Sequence, residues 1–192
     1  MPKVYILLIK SNTILSKLIG KVTKAEFTHA SISFSDDLYP FNSFGRKYTY
    51  SVVPAGLKKE YKDKGFLYRN QNIPSAIYEI EVTNEQYRKA KQYVDDMFNS
   101  KKRYGFNSIG LFMCKTGIPV RRKRRMFCSE FVASVLKYSD IYNFDNPTLV
   151  KPNDFASLEN AKCIYKGILK DSFNIKGGNF QCLANQNMVG QL

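Results

Sequence analysis

Lys3-Val4-Tyr5-Ile6-Leu7-Leu8-Ile9-Lys10 sets six consecutive apolar residues between two lysines. That run suits a strand buried on both faces, and it is too short for a membrane span or for the apolar region of a secretory signal. Ile14, Leu15, Leu18, Ile19 and Val22 then recur at spacings of three and four, which predicts a helix over 12–23 capped by Ser11 or Asn12. From Phe27 to Phe34 apolar and small polar residues alternate, so a strand is expected there, with a turn at Asp36-Asp37. Leu38 to Phe44 reads as its partner strand, with one edge of it demoted by Pro40, and Gly45-Arg46-Lys47 ends it. Tyr48 to Gly65 carries the breakers Pro54 and Gly56 and reads as irregular, followed by a short strand at Phe66 to Tyr68.

The second half is more regular. Tyr78, Ile80 and Val82 alternate along a strand from Ile77, and Thr83 with Gln86 forms a capping-box pattern. Tyr87, Ala90, Val94, Met97 and Phe98 supply the apolar stripe of the helix that follows. Asn107 to Lys115 reads as another helix, ended by Gly117 and Pro119, and a third starts at Cys128 and runs to the neighbourhood of Asp140. Lys151-Pro152-Asn153-Asp154-Phe155 resembles a helix start with proline in its first turn. Ile164 to Leu169 reads as a strand, and Gly177-Gly178 with an Asn/Gln-rich end suggests a loose tail. No repeat or linker is visible. The order of elements predicts one α+β domain, an antiparallel sheet packed against helices over 1–160, with 161–192 as a C-terminal extension, either part of the same domain or partly loose.

Composition narrows the function classes. With 192 residues, 44% hydrophobic and 24% charged, the chain has material for one soluble globular core. Its four cysteines, Cys114, Cys128, Cys163 and Cys182, include no Cys-x-x-Cys pair and accompany a single histidine. A zinc site and a disulfide framework are therefore not expected, and neither is any cofactor. Reduced thiols and the lack of a signal sequence point to the cytoplasm, although delivery by a phage or virus needs no such signal. The formal net charge of +14 favours a polyanionic partner: nucleic acid, an anionic membrane or an acidic wall polymer. A lysine-rich surface that only maintains solubility explains the charge equally well.

Chemistry enters with Cys128 and His29. Cys128 stands in the first turn of an expected amphipathic helix, where backbone amides and the helix dipole favour a thiolate. His29, the sole histidine, opens the strand Thr28-His29-Ala30-Ser31-Ile32-Ser33-Phe34. Taken singly, a cysteine on an apolar helix face is more often an inert core residue, and a histidine beginning a strand is more often structural. The run Arg121-Arg122-Lys123-Arg124-Arg125 immediately precedes the cysteine. Any member turned inward lowers the thiol pKa further; the plainer reading is a solvated loop or a nuclear-localisation-like patch. Glu130 reads as a first-turn acid complementing the helix dipole.

Thr28-His29-Ala30-Ser31-Ile32-Ser33-Phe34, Asn42-Ser43-Phe44-Gly45-Arg46-Lys47 and Phe127-Cys128-Ser129-Glu130-Phe131-Val132 together resemble the permuted branch of the NlpC-type papain-like superfamily. That branch includes YiiX-like bacterial proteins and, more distantly, lecithin retinol acyltransferase-like enzymes; its histidine strand precedes its cysteine helix. Lys151-Pro152-Asn153-Asp154 fits the same pattern, so the resemblance spans Lys3 to Asp154. It implies a circularly permuted papain-like fold, with Cys128 as nucleophile and His29 as the base that takes and returns the thiol proton. It also implies a polar group on the neighbouring strand to orient the imidazole. Asn42 is preferred and Ser43 is close behind, because no acidic residue stands between Leu38 and Phe44. The backbone amide of Cys128 is the expected oxyanion donor.

The expected activity is that of a thiol hydrolase of the cysteine peptidase or amidase kind, or of an acyltransferase. The substrate is a cell-wall peptide, an isopeptide or a lipid acyl group, and Arg121, Arg122 and Arg124 attract negative charge on it. The competing class is a basic protein that holds nucleic acid or an anionic surface without catalysis, for which no nucleic-acid motif is present.

Overall fold

Each face of the first strand meets a different apolar cluster, which is why its sequence does not alternate. The computed structural model of the protein describes residues 1–10, 26–46 and 55–175. β1 (Lys3–Ile9) turns Val4, Ile6 and Leu8 toward one cluster and Tyr5, Leu7 and Ile9 toward another, all fully buried. It pairs antiparallel with β2 (His29–Ser33) on one side and with β5 (Pro74–Glu81) on the other. β3 (Phe41–Arg46), β4 (Ala55–Glu60), β6 (Gly105–Phe106), β7 (Arg125–Met126) and β8 (Ala161–Ile168) complete an eight-stranded sheet ordered β7-β6-β4-β3-β2-β1-β5-β8. Only β6 and β7 run parallel to each other.

Two helices cover the first cluster. α2 (Asn84–Asn99) starts from the Thr83/Gln86 capping box and buries Ala90, Val94 and Met97. α4 (Cys128–Tyr138) buries Phe131, Val132, Ala133, Val135 and Leu136 against β2 and β3, with Phe131 against Phe44 at 5.2 Å between ring centroids. α1 (Gly65–Arg69) contributes Leu67 to the second cluster, and the short α3 (Ser108–Cys114) is capped by the Asn107 side chain. The fold is α+β, as its periodicities predict.

Several local expectations need correction. Phe66 to Tyr68 lies in α1 and not in a strand: Gly65, at φ 74°, opens a turn that buries Leu67 and packs Phe66 against the second cluster. The stretch read as irregular contains β4, paired with β3 from Arg46 opposite Ala55 to Phe41 opposite Glu60. Its polar side chains conceal it, because Lys58 and Glu60 answer to the neighbouring strands and not to an apolar core. β3 begins at Phe41, after a cis Tyr39-Pro40 peptide, and extends to Arg46. The Pro152–Ser157 turn is 3-10. β8 pairs with β5 over seven positions, and Leu169 and Ile175 join the second cluster. The expected helix over 12–23, Cys182 and the tail from Gly177 lie outside the described residues.

Candidate active site

β2, β3, β4 and the N-terminus of α4 converge on His29. The Phe27 amide donates to Asn153 Oδ1 at 2.9 Å, which fastens the chain just ahead of β2 to the Pro152–Ser157 turn. Ser129 Oγ donates to Val150 O at 2.7 Å and holds the first turn of α4 against the segment leading into that turn. The Lys151-Pro152-Asn153-Asp154 motif thus braces both chain segments that carry the site.

The Cys128 thiol is buried and hydrogen-bonded to the His29 ring. On the ring's other side, His29 Nε2 lies 3.0 and 3.2 Å from the two carboxylate oxygens of Glu60. With Nε2 turned to Glu60, Nδ1 is the ring nitrogen left for the thiol. Glu60 is nearly inaccessible and is also gripped by Lys58, whose Nζ sits 2.8 Å from Oε1. The result is a row of charges: thiol, imidazole, carboxylate, ammonium.

Burial opposes charge on His29, Cys128 and Glu60, and their neighbours outweigh it. Desolvation alone lowers the His29 pKa, but the Glu60 charge and the Cys128 thiolate raise it to about 10. Desolvation pushes the Cys128 thiol up, yet the imidazolium charge, its hydrogen bond and the amides of Ala30 and Ser129 bring it below the usual thiol range. Burial also disfavours the Glu60 carboxylate, and Lys58 and His29 together hold it far below the ordinary carboxyl value. The geometry favours a thiolate–imidazolium pair that titrates as a unit. Cys114 shows the contrast, since burial without such partners lifts its thiol to about 11.

The two residues expected to orient the ring part company. Ser43 Oγ donates to Ala30 O at 2.7 Å and stands 3.3 Å from His29 Nε2, so it flanks the ring. Asn42 turns its amide Nδ2 to Ile32 O at 3.2 Å, and the bonds described at His29 Nε2 run to Glu60 and Ser43. Strand pairing explains this: Asn42 is opposite Ile32, and its donor satisfies that strand's carbonyl. The buried acid missing from β3 is supplied by β4. The signal for Glu60 was thin: Lys58 and Glu60 alternate with Leu57 and Lys59, a polar pair on one strand face.

Arg121, Arg122 and Arg124 are exposed on a turn where the Arg125 amide donates to Arg122 O at 3.1 Å. The thiol is tuned by His29 and two backbone amides, so inward-turned arginines are not what lowers its pKa. Arg121 acts instead on Glu130 and Tyr93. Glu130 is buried: its Oε2 accepts from the Phe127 amide at 3.2 Å and from Asn107 Nδ2 at 3.4 Å, and desolvation raises its pKa to about 7. It is a cap for α4 and an anchor for Asn107. Among the described residues no group of three His, Cys, Asp or Glu is placed to hold a metal ion, and no helix is long and apolar enough to cross a membrane.

No family model matches this sequence, and no curated protein matches it. Among solved structures, the chain is similar to the metalloprotein yiiX from Escherichia coli O157:H7, with a TM-score of 0.49 and 13% sequence identity. That match covers 87% of this chain and 98% of that chain.

Proposed function

We propose that the protein is a cysteine-dependent hydrolase or acyltransferase acting on an amide or ester, with a permuted papain-like arrangement in which the histidine strand precedes the cysteine helix. The observation that carries this reading is the row Cys128, His29, Glu60, in which a buried thiol and a buried carboxylate hold one imidazole from opposite sides. Cys128 sulfur attacks the acyl carbon, and the carbonyl electrons move onto oxygen, next to the first-turn amides of α4. As the tetrahedral intermediate collapses, imidazolium His29 gives its proton to the departing nitrogen or oxygen, leaving a thioester on Cys128. A water or another nucleophile then attacks that thioester, His29 taking its proton, and the thiolate returns. Glu60 keeps the ring oriented and stabilises its charge throughout. Lys58 keeps Glu60 ionised, and Ser43 flanks the ring.

Acylation by p-nitrophenyl acetate, followed by intact-mass spectrometry, tests this. Wild type should show one acetyl adduct mapping to Cys128, and Cys128→Ala and His29→Ala should show none on the same timescale. An unmodified wild-type protein, or equal modification at Cys114, would remove the basis for the proposal. Titration with a DNA duplex addresses the rival class: salt-sensitive DNA binding together with an inert thiol would favour a basic binding protein.

A further inference from the structure

The segment 107–124 leaves the sheet at β6 and returns at β7, two residues before Cys128. Asn107 ties it down: its Nδ2 donates to Val120 O at 3.0 Å and to Glu130 Oε2 at 3.4 Å, while its Oδ1 accepts from the Gly110 amide at 3.0 Å. Gly110 is required for this closure, because a Cβ there would collide with the Asn107 amide. The Ile118 amide folds back onto Met113 O at 3.2 Å, so Ile118 lies beside the end of α3.

This rigid excursion carries its apolar side chains on the outside. Ile109, Phe112 and Ile118 are 53%, 61% and 49% exposed, three of the seven large hydrophobics that the described residues leave exposed. Ile109 and Phe112 are three apart on α3 and share a face. The chain then passes directly into the exposed run Arg121-Arg122-Lys123-Arg124-Arg125. An apolar cluster continuous with five positive charges matches an anionic bilayer, whose headgroups attract the cations while the acyl boundary takes up the apolar side chains. DNA offers the charge but has no apolar layer for Phe112.

We propose that 107–125 is a docking surface for an anionic lipid bilayer, and that it seats the Cys128 end of α4 at the headgroup level. Resting on the proposed thiol chemistry, this names the substrate class as acyl groups of lipids or of lipid-anchored molecules. The Asn107–Glu130 hydrogen bond ties the excursion to the first turn of α4, two residues beyond Cys128.

Cosedimentation of the full chain with vesicles of phosphatidylcholine, alone or with phosphatidylglycerol, tests the surface. Binding is expected only with phosphatidylglycerol present, and it should weaken as salt rises. The double variant Ile109→Ser/Phe112→Ser should lose at least about tenfold in vesicle affinity, while Arg121→Gln/Arg122→Gln/Arg124→Gln should lose about a hundredfold. Circular dichroism and the acetyl-adduct assay confirm that the apolar variant is folded. Cys128→Ala should bind vesicles as wild type does, so that docking is read separately from catalysis. Equal binding to phosphatidylcholine alone, an unaffected apolar variant, or binding to a DNA duplex but not to vesicles would each overturn the proposal. An absent acyl adduct with intact vesicle binding would overturn the enzyme reading and leave the surface standing.

Discussion

Glu60 has two cations to satisfy, and its variants separate two roles. Glu60→Gln keeps a hydrogen-bond acceptor beside His29 Nε2 but removes the charge that raises the His29 pKa. The imidazolium should then lose its proton at lower pH, and the thiol pKa read from the pH profile of Cys128 alkylation by iodoacetamide should rise by about one to two units. Glu60→Ala also strands Lys58 and should destabilise the fold by about 3 kcal/mol, read by urea denaturation. Ser43→Ala should cost less than either, because its Oγ–H is committed to Ala30 O. Unchanged alkylation in Glu60→Gln would mean that the carboxylate does not govern the ring.

Among the elements, α4 carries a testable pH response. Glu130 caps its first turn from a buried site, and burial raises its pKa to about 7, above the ordinary 4.5. A carboxyl raised in this way favours the folded state when protonated, so its contribution declines as pH rises from 4.5 through 7. Glu130→Gln should melt several degrees above wild type at pH 8 and within a degree of it at pH 5.5, by differential scanning calorimetry, on the scale of about 1–2 kcal/mol. A constant difference at both pH values would mean that Glu130 does not titrate in this window. The elements also show what the sequence could convey. α2 and α4 were legible because each buries one apolar stripe against one cluster, and β1 because both its faces are apolar. β4 was not legible, since its inward polar face serves His29 and not the core. Glu60 was missed with it, because strand order and not a local pattern brings β4 to His29. Cys128 and His29 stood out because a helix start and a lone histidine are local signals, whereas their pairing with Glu60 depends on strand order.

For the whole molecule, the buried charges set a stability profile. Glu60, depressed when folded, contributes above its unfolded value of 4.5 and loses that contribution as pH falls below it. His29, raised to about 10, contributes fully below its unfolded value of 6.5 and loses that contribution as pH rises toward 10. Cys128, depressed when folded, gains stability as pH rises toward its unfolded value of 9 and so offsets the His29 loss up to 9, while Glu130 declines from 4.5 through 7. At fixed ionic strength the melting temperature should therefore fall from pH 9 toward pH 10 in wild type and Glu130→Gln alike, and wild type should lose ground to that variant between pH 4.5 and 7. A melting temperature that climbs steadily to pH 10 would mean that relief of the +14 charge outweighs the buried pair.

The sole histidine makes the central claim directly observable, because the imidazole Cε1 proton of His29 is one resonance with no competitor. Its chemical shift, followed by proton NMR from pH 5 to 11, reports whether the ring is charged where the proposed chemistry operates. The thiolate–imidazolium pair predicts a ring still protonated at pH 8 that titrates well above 6.5, with the transition moving down in Cys128→Ser, where no thiolate faces it. A wild-type transition at the ordinary 6.5, unmoved by Cys128→Ser, would contradict the pair and the catalytic role built on it.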